Sequence, residues 1–167
     1  MEVGLSLGAN LGERRAHMEA ARKSILGMPG MRKLAQSPLY ETQPVAVPPD
    51  YAHLPFLNAV LIVETILSPR QLLPLLLRIE QQQGRQPGHV PHAPRIIDLD
   101  IIYAGRHEIR DQDLEVPHPR WNTRRFVTQP LCDVRPDLLL PGQTRSVAAI
   151  LAGLDDPHTV TIITKQW

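Results

Sequence analysis

Val3, Leu5 and Leu7 alternate with small or polar neighbours, a period of two that predicts a half-buried strand. Gly8-Ala9-Asn10 breaks the alternation, and the spacing then turns helical. Ala16, Ala20, Ala21, Ile25 and Leu26 mark the inner face of a helix over Glu13–Met28, with Asn10 as its candidate cap and Pro29-Gly30 as its end. Met31–Glu41 reads as one irregular strand, followed by the proline-rich loop Thr42–Pro55. Phe56–Ile66 (FLNAVLIVETI), rich in β-branched residues, is the clearest strand in the chain. Pro69 suits the first turn of a helix that runs through Leu72, Leu73, Leu76, Leu77 and Ile79 to about Gln83, where Gly84 stops it. After a loop over Arg85–Arg95, Ile96–Tyr103 (IIDLDIIY) reads as another strand, closed by Ala104-Gly105.

The order is strand, helix, strand, strand, helix, strand, which predicts an α+β fold, a ferredoxin-like βαββαβ sandwich. Shorter pieces follow: a loop at Val116–Pro119, helices near Phe126–Cys132 and Val147–Leu151, and a last strand over Val160–Ile163 that joins the sheet. With 167 residues the chain has room for one domain over 1–167 and little for a second.

Composition narrows the function classes. Hydrophobic residues make up 43%, and no apolar run approaches the roughly 18 residues of a spanning helix. The first residues carry no basic flank or signal-type cleavage site, so a cytoplasmic location and no membrane partner are expected. A single cysteine, Cys132, excludes an intramolecular disulfide and reads as a small buried hydrophobe. A net charge of +1 and 4% aromatic residues argue against a nucleic-acid partner. The 17 prolines cluster in Pro44–Pro55, Pro87–Pro94 and Pro117–Pro119, three stiffened loops where a binding site is expected.

Asp98-Leu99-Asp100 lies inside a strand pattern, flanked by isoleucines. Alternation points both carboxylates one way and Leu99 the other. Their Cα atoms are roughly 6–7 Å apart along the strand. Two like charges at that distance repel by about 3 kcal/mol at an effective dielectric near 20. A fold tolerates such a pair if it is solvated, shares a proton or holds a cation, and the apolar flanks favour the cation. Oxygen ligands suit Mg²⁺, which fills its remaining positions with water and phosphate. Arg85 and Arg95 stand close in sequence and grip phosphate oxygens in a fork. Together these residues point to metal-assisted phosphoryl-type transfer.

The segment Ala93-Pro94-Arg95-Ile96-Ile97-Asp98-Leu99-Asp100-Ile101-Ile102 closely resembles the signature of 6-hydroxymethyl-7,8-dihydropterin pyrophosphokinases. Further blocks match in the family's order: Gly8-Ala9-Asn10-Leu11-Gly12, Tyr40-Glu41-Thr42, Phe56-Leu57-Asn58, Arg78-Ile79-Glu80 with Gly84-Arg85, and Val116-Pro117-His118-Pro119 leading to Arg124-Arg125-Phe126. The resemblance implies a ferredoxin-like fold and transfer of diphosphate from ATP to a pterin alcohol, releasing AMP, in folate synthesis. It implies that Asp98 and Asp100 ligate two Mg²⁺ ions, and that Arg85 and Arg95 act catalytically by neutralising charge. Thr42, Val45, Phe56, Asn58, His92 and Phe126 would bind the pterin. Glu80, Arg85, Arg95, Ile101, His118 and Arg124 would line the ATP side. ATP and a hydroxymethyl-dihydropterin are then the partners, and a monomer suffices.

The loop Gln86-Pro87-Gly88-His89-Val90-Pro91-His92 departs from the family's pattern. His92 stands where an aromatic is common, Pro91 where a charge is, and Gln43 where proline is. His89 and His92 invite a transition-metal reading, but the prolines at 87, 91 and 94 exclude a helix, so their spacing loses its meaning. Two other readings are a non-catalytic binding module and an inactive family member. The first predicts an exposed aromatic sheet face, the second ATP binding without AMP.

Overall fold

The computed structural model of the chain describes residues 1–44, 48–85 and 94–167. Among these residues eight strands and four helices run in the order β1 (Glu2–Ala9), α1 (Arg14–Leu26), β2 (Arg32–Gln36), β3 (Leu39–Thr42), β4 (Phe56–Glu64), α2 (Pro69–Gln82), β5 (Asp98–Ala104), β6 (Ile109–Arg110), β7 (Glu115–Val116), α3 (Arg125–Val134), α4 (Val147–Ala152) and β8 (Val160–Thr164). The main sheet has the order β5-β1-β4-β3-β8, with β2 paired beside β3 along β4, and its pairings are antiparallel. β6 and β7 form a separate two-stranded ribbon.

Period two along the strands gives the sheet two different faces. Leu5, Leu7, Leu61, Val63, Leu99 and Ile101 point to one side, where Met18, Ala21 and Ile25 of α1 and Leu72, Leu76 and Ile79 of α2 close the main core. Val60, Ile62 and Ile102 point to the other side, against Trp121, Val127 and Leu131 and the α4 residues Val147 and Ile150. α3 and α4 cover only part of this second face. Beyond Val127 it opens into a cavity.

The local signals for α2 act as read: Pro69 occupies its first turn and Ser68 caps it. The Ser68 hydroxyl accepts from the Gln71 amide, while the Gln71 side chain accepts from the Ser68 amide at 2.9 Å. Gly84 ends the turn beyond α2 at φ +107°, a conformation that other residues resist.

Three expectations change. Met31–Glu41 is not one strand: Ser37-Pro38 divides it into β2 and β3, and the Ser37 hydroxyl accepts the Val60 amide at 2.9 Å across the break. The buried face of α1 is Met18, Ala21 and Ile25, while Ala16 and Ala20 are exposed, because the larger methionine claims the core. Asn10 does not cap α1; Glu13 holds that position without a side-chain bond. The Asn10 carboxamide oxygen instead accepts the Arg95 amide at 2.7 Å, and the Asn10 amide donates to the Arg95 carbonyl at 3.0 Å. Among the described residues no helix is long and apolar enough to cross a membrane.

Candidate active site

Strand register builds the site. Gly8 of β1 lies opposite Asp98 of β5 on one side and Asn58 of β4 on the other. One step along, Ser6 lies opposite Asp100 and Val60. Asp98 and Asn58 thus face the same space across a glycine. A Cβ on Gly8 would sit 3.1 Å from the Asn58 side-chain oxygen, so the row stays open because that position has no side chain. Phe56, two residues before Asn58, shares its face. Together with Thr42, Gln43, Arg95, Ile102, His118, Arg120, Arg124, Phe126 and Val127, the residues Ser6, Gly8, Phe56, Asn58, Asp98 and Asp100 line a cavity of about 210 Å³.

At one end of the cavity, Asp98 is held by two guanidinium groups. Arg85 Nη1 lies 3.1 Å from its Oδ1 and Arg95 Nη1 lies 2.5 Å from its Oδ2. Arg85 also reaches Glu80 Oε2 at 2.5 Å. Glu80 is 1% exposed and does not line the cavity; its other oxygen accepts the Leu99 amide at 2.7 Å. Burial pushes the Glu80 carboxyl up to about 7, against the pull of that amide and of Arg85.

Asp100 has no hydrogen-bond donor among the described residues. Burial first and the neighbouring Asp98 charge second push its carboxyl up to about 6, while Arg95, Arg124 and Arg85 pull it down. Such a pair fits a hard cation by its chemistry: both donors are oxygens, they share one strand face, and one has no hydrogen-bond donor among the described residues. No group of three or more His, Cys, Asp or Glu side chains suited to a metal occurs among the described residues. Two carboxylates, with water and phosphate completing the shell, are the usual protein share for Mg²⁺.

At the other end, Asn58 is 4% exposed, and its side-chain NH₂ donates to the Thr42 hydroxyl at 2.8 Å. This bond fixes the amide orientation and leaves its oxygen as an acceptor. Phe56 and Phe126 both line the cavity, and the Arg124 guanidinium lies 5.5 Å from the Phe126 ring centre. Asp156 Oδ2 accepts the Arg125 amide at 2.8 Å, which ties down the first turn of α3 and with it Phe126.

His118 sits between this cavity and a second one of about 180 Å³, lined by Leu73, Leu99, Asp100, Ile101, Asp113, Leu114, Glu115 and Pro119. Its Nδ1 accepts the Arg120 amide at 3.1 Å, so the neutral ring carries its proton on Nε2. Burial, then the Arg124 and Arg120 charges, lower its pKa to about 4.

Of the residues singled out in the sequence, Thr42, Phe56, Asn58, Arg95, Asp98, Asp100, His118, Arg124 and Phe126 line the first cavity. Ile101 lines only the second, and Arg85 and Glu80 reach the site through Asp98 and Leu99. Val45, His89 and His92 lie outside the described residues. Sequence reasoning overlooked Ser6, Gly8 and Ile102 as lining positions, although period two marks them once Leu5, Leu7, Leu99 and Ile101 are assigned inward. It also overlooked Arg120, whose only signal is its place in the His118–Arg124 stretch.

Residues 4–136 match the model of the 7,8-dihydro-6-hydroxymethylpterin-pyrophosphokinase family. The chain is 40% identical over 139 residues to the 2-amino-4-hydroxy-6-hydroxymethyldihydropteridine pyrophosphokinase of Pseudomonas aeruginosa, covering 83% of each protein. To the protein of that name from Methylorubrum extorquens it is 36% identical over 151 residues, covering 90% of this chain and 92% of that one. A folic acid synthesis protein of Pneumocystis carinii is 39% identical over 155 residues, 92% of this chain; the chain spans only 20% of that longer protein. The crystal structure of wild-type Plasmodium falciparum HPPK-DHPS with SDX-DHP shares the fold, with a TM-score of 0.69 at 13% identity over 90% of this chain and 44% of that one.

Proposed function

The chain belongs to the 7,8-dihydro-6-hydroxymethylpterin-pyrophosphokinase family, pyrophosphokinases of folate synthesis, and on that premise we propose that it transfers diphosphate from ATP to 6-hydroxymethyl-7,8-dihydropterin. In this reaction the pterin alcohol oxygen bonds to the β-phosphorus of ATP. The bond from that phosphorus to the α–β bridging oxygen breaks, AMP departs with that oxygen, and the alcohol proton is released to water. The observation that carries the reading is the row Asp98-Gly8-Asn58, which sets a carboxylate for the phosphate end and an amide for a heterocycle end across one open cavity.

Each residue has a role in this proposal. Asn58, oriented by Thr42, pairs with the pterin edge, where an amide offers both donor and acceptor. Phe126 stacks on the ring face with Phe56 beside it, a contact worth roughly 0.5–1.5 kcal/mol beyond area burial. Val45 and His92 complete the pterin side. Asp98 and Asp100 would hold magnesium, two ions in all, and the metal would supply positive charge to the phosphate oxygens. Arg85 and Arg95 neutralise Asp98 without ligand and turn to the phosphates as charge builds on them. Neutral His118 donates from Nε2 to a phosphate oxygen, Arg124 adds its charge, and Glu80 anchors Arg85 from below. Ile101 and the second cavity take the nucleotide's far end.

The strand order β5-β1-β4 with β2 and β3 beyond, all antiparallel, also supports reading the sheet with α1 and α2 as a ferredoxin-like sandwich in one domain. Incubation with ATP, Mg²⁺ and the hydroxymethyl-dihydropterin tests the proposal. AMP and the pterin diphosphate are the expected products. ADP in place of AMP, or no loss of nucleotide, overturns it.

A further inference from the structure

Positive charge in the first cavity exceeds negative charge, and the excess lies on one turn. Arg85 and Arg95 are both spent on Asp98, and Arg85 on Glu80 as well. Among the described residues Arg120 and Arg124 have no carboxylate partner, although both line the cavity. The segments 45–47 and 86–93 contain no aspartate or glutamate that could provide one. The two arginines stand four positions apart on either side of a short helical turn over Trp121–Thr123. Arg124 is half-buried and Arg120 exposed, giving an inner and an outer cation. Burial first and the Arg120 charge second disfavour the charged form of Arg124, while Asp100 and Asp98 at the cavity's acidic end favour it. On the same cavity wall His118 keeps Nδ1 occupied by the Arg120 amide. A turn that holds two guanidinium groups and an imidazole donor on one cavity wall, neither guanidinium in an ion pair among the described residues, is built for an anion with several oxygens.

We infer that Arg120 is a further phosphate-binding residue, forming with Arg124 a second anion grip apart from the Arg85–Arg95 pair tied to Asp98. This rests on the proposed reaction, in which two molecules carry the required group: the nucleotide donor and the diphosphate product. The grip holds phosphate oxygens in either. Arg120 positions them and has no part in bond making.

The test is equilibrium binding to the full chain, comparing wild type with Arg120→Gln and Arg120→Lys. The ligands are α,β-methylene-ATP with Mg²⁺ in one arm and the pterin diphosphate with Mg²⁺ in the other. The side chain is exposed and the backbone amide that holds His118 is unaltered, so an unchanged thermal midpoint is expected. Arg120→Gln should weaken at least one ligand by about tenfold and reduce its salt dependence, with Arg120→Lys recovering part of the loss. Affinity for the unphosphorylated pterin should not move, which a general structural defect would not spare. Loss in the nucleotide arm assigns the grip to the donor, and loss in the product arm alone assigns it to the product. Unchanged affinity in both arms overturns the inference. If wild type makes no AMP, the proposed reaction fails by itself. Inorganic diphosphate with Mg²⁺ then serves as the probe, and equal binding by wild type and Arg120→Gln would reject the grip.

Discussion

The Leu99 amide donates to Oε1 of Glu80 at 2.7 Å, so a carboxylate from α2 is fixed beneath the one residue that separates Asp98 from Asp100. The other oxygen of Glu80 holds Arg85, which in turn holds Asp98. One buried side chain thereby sets the height of the strand and the place of a cation. Glu80→Ala leaves a buried amide without an acceptor and should cost about 2 kcal/mol of stability in chemical denaturation. Glu80→Gln keeps that acceptor and should lose less than half as much, while turnover falls in both. Equal stability losses would show that the amide bond is not the anchor.

Asp100→Ala should lower turnover by at least about a hundredfold and weaken Mg-ATP binding, with the thermal midpoint unchanged or raised. The rise follows from removing a buried carboxyl that repels Asp98. AMP formation and calorimetry check the two halves. Near-normal activity would remove Asp100 from the metal assignment.

How far the site could be read beforehand depends on how local its causes are. Asp98 and Asp100 were legible together because alternation along a strand is a property of the backbone alone. The helix α2 was legible because Ser68, Pro69 and Gln71 carry its start within four residues. Asn10 misled because a local rule, capping, lost to a partner 85 positions away, the Arg95 amide. The face of α1 misled because its small alanines give little preference, and contact with the sheet chose Met18. The meeting of Gly8, Asp98 and Asn58 depends on pairing register, which no single segment encodes.

Arg95→Ala should depress kcat at least about tenfold, equivalent to about 1.4 kcal/mol of barrier. Steady-state kinetics at saturating ATP measure this. A change confined to KM would mean that Arg95 binds ground-state phosphate and transition state alike.

Asn58→Ala should raise the dissociation constant for the pterin by at least about tenfold while leaving nucleotide affinity within about twofold. Fluorescence titration of each ligand separates the two. Parallel losses would place Asn58 in the fold and not in recognition.

The acid groups carry a pH signature. Folded Glu80 and Asp100 titrate near 7 and 6, above their ordinary values of 4.5 and 3.8, so the native state keeps protons that the unfolded chain has released. Their contribution to stability is therefore present at low pH and lost as pH rises through about 4 to 7. His118 runs the other way: with its folded pKa at about 4 against 6.5, its contribution is lost as pH falls through that window. Glu80→Gln removes one acid contribution, so the stability of wild type relative to that variant should fall between about pH 4.5 and pH 7. A flat difference across the range would mean that Glu80 keeps an ordinary pKa. In the proposed metal site magnesium would compete with the proton on Asp100, so stabilisation by Mg-ATP should be greater above pH 7 than near pH 5.

The row Asp98-Gly8-Asn58 crosses three neighbouring strands, so its ends are separated by two interstrand steps, about 10 Å. That span belongs to the backbone ladder and not to any rotamer. In the proposed reaction the sheet therefore serves as a ruler between the charged end and the ring end. A substrate of that reaction whose alcohol sat one carbon nearer to its ring or farther from it would be misplaced by that same carbon relative to these two backbone positions.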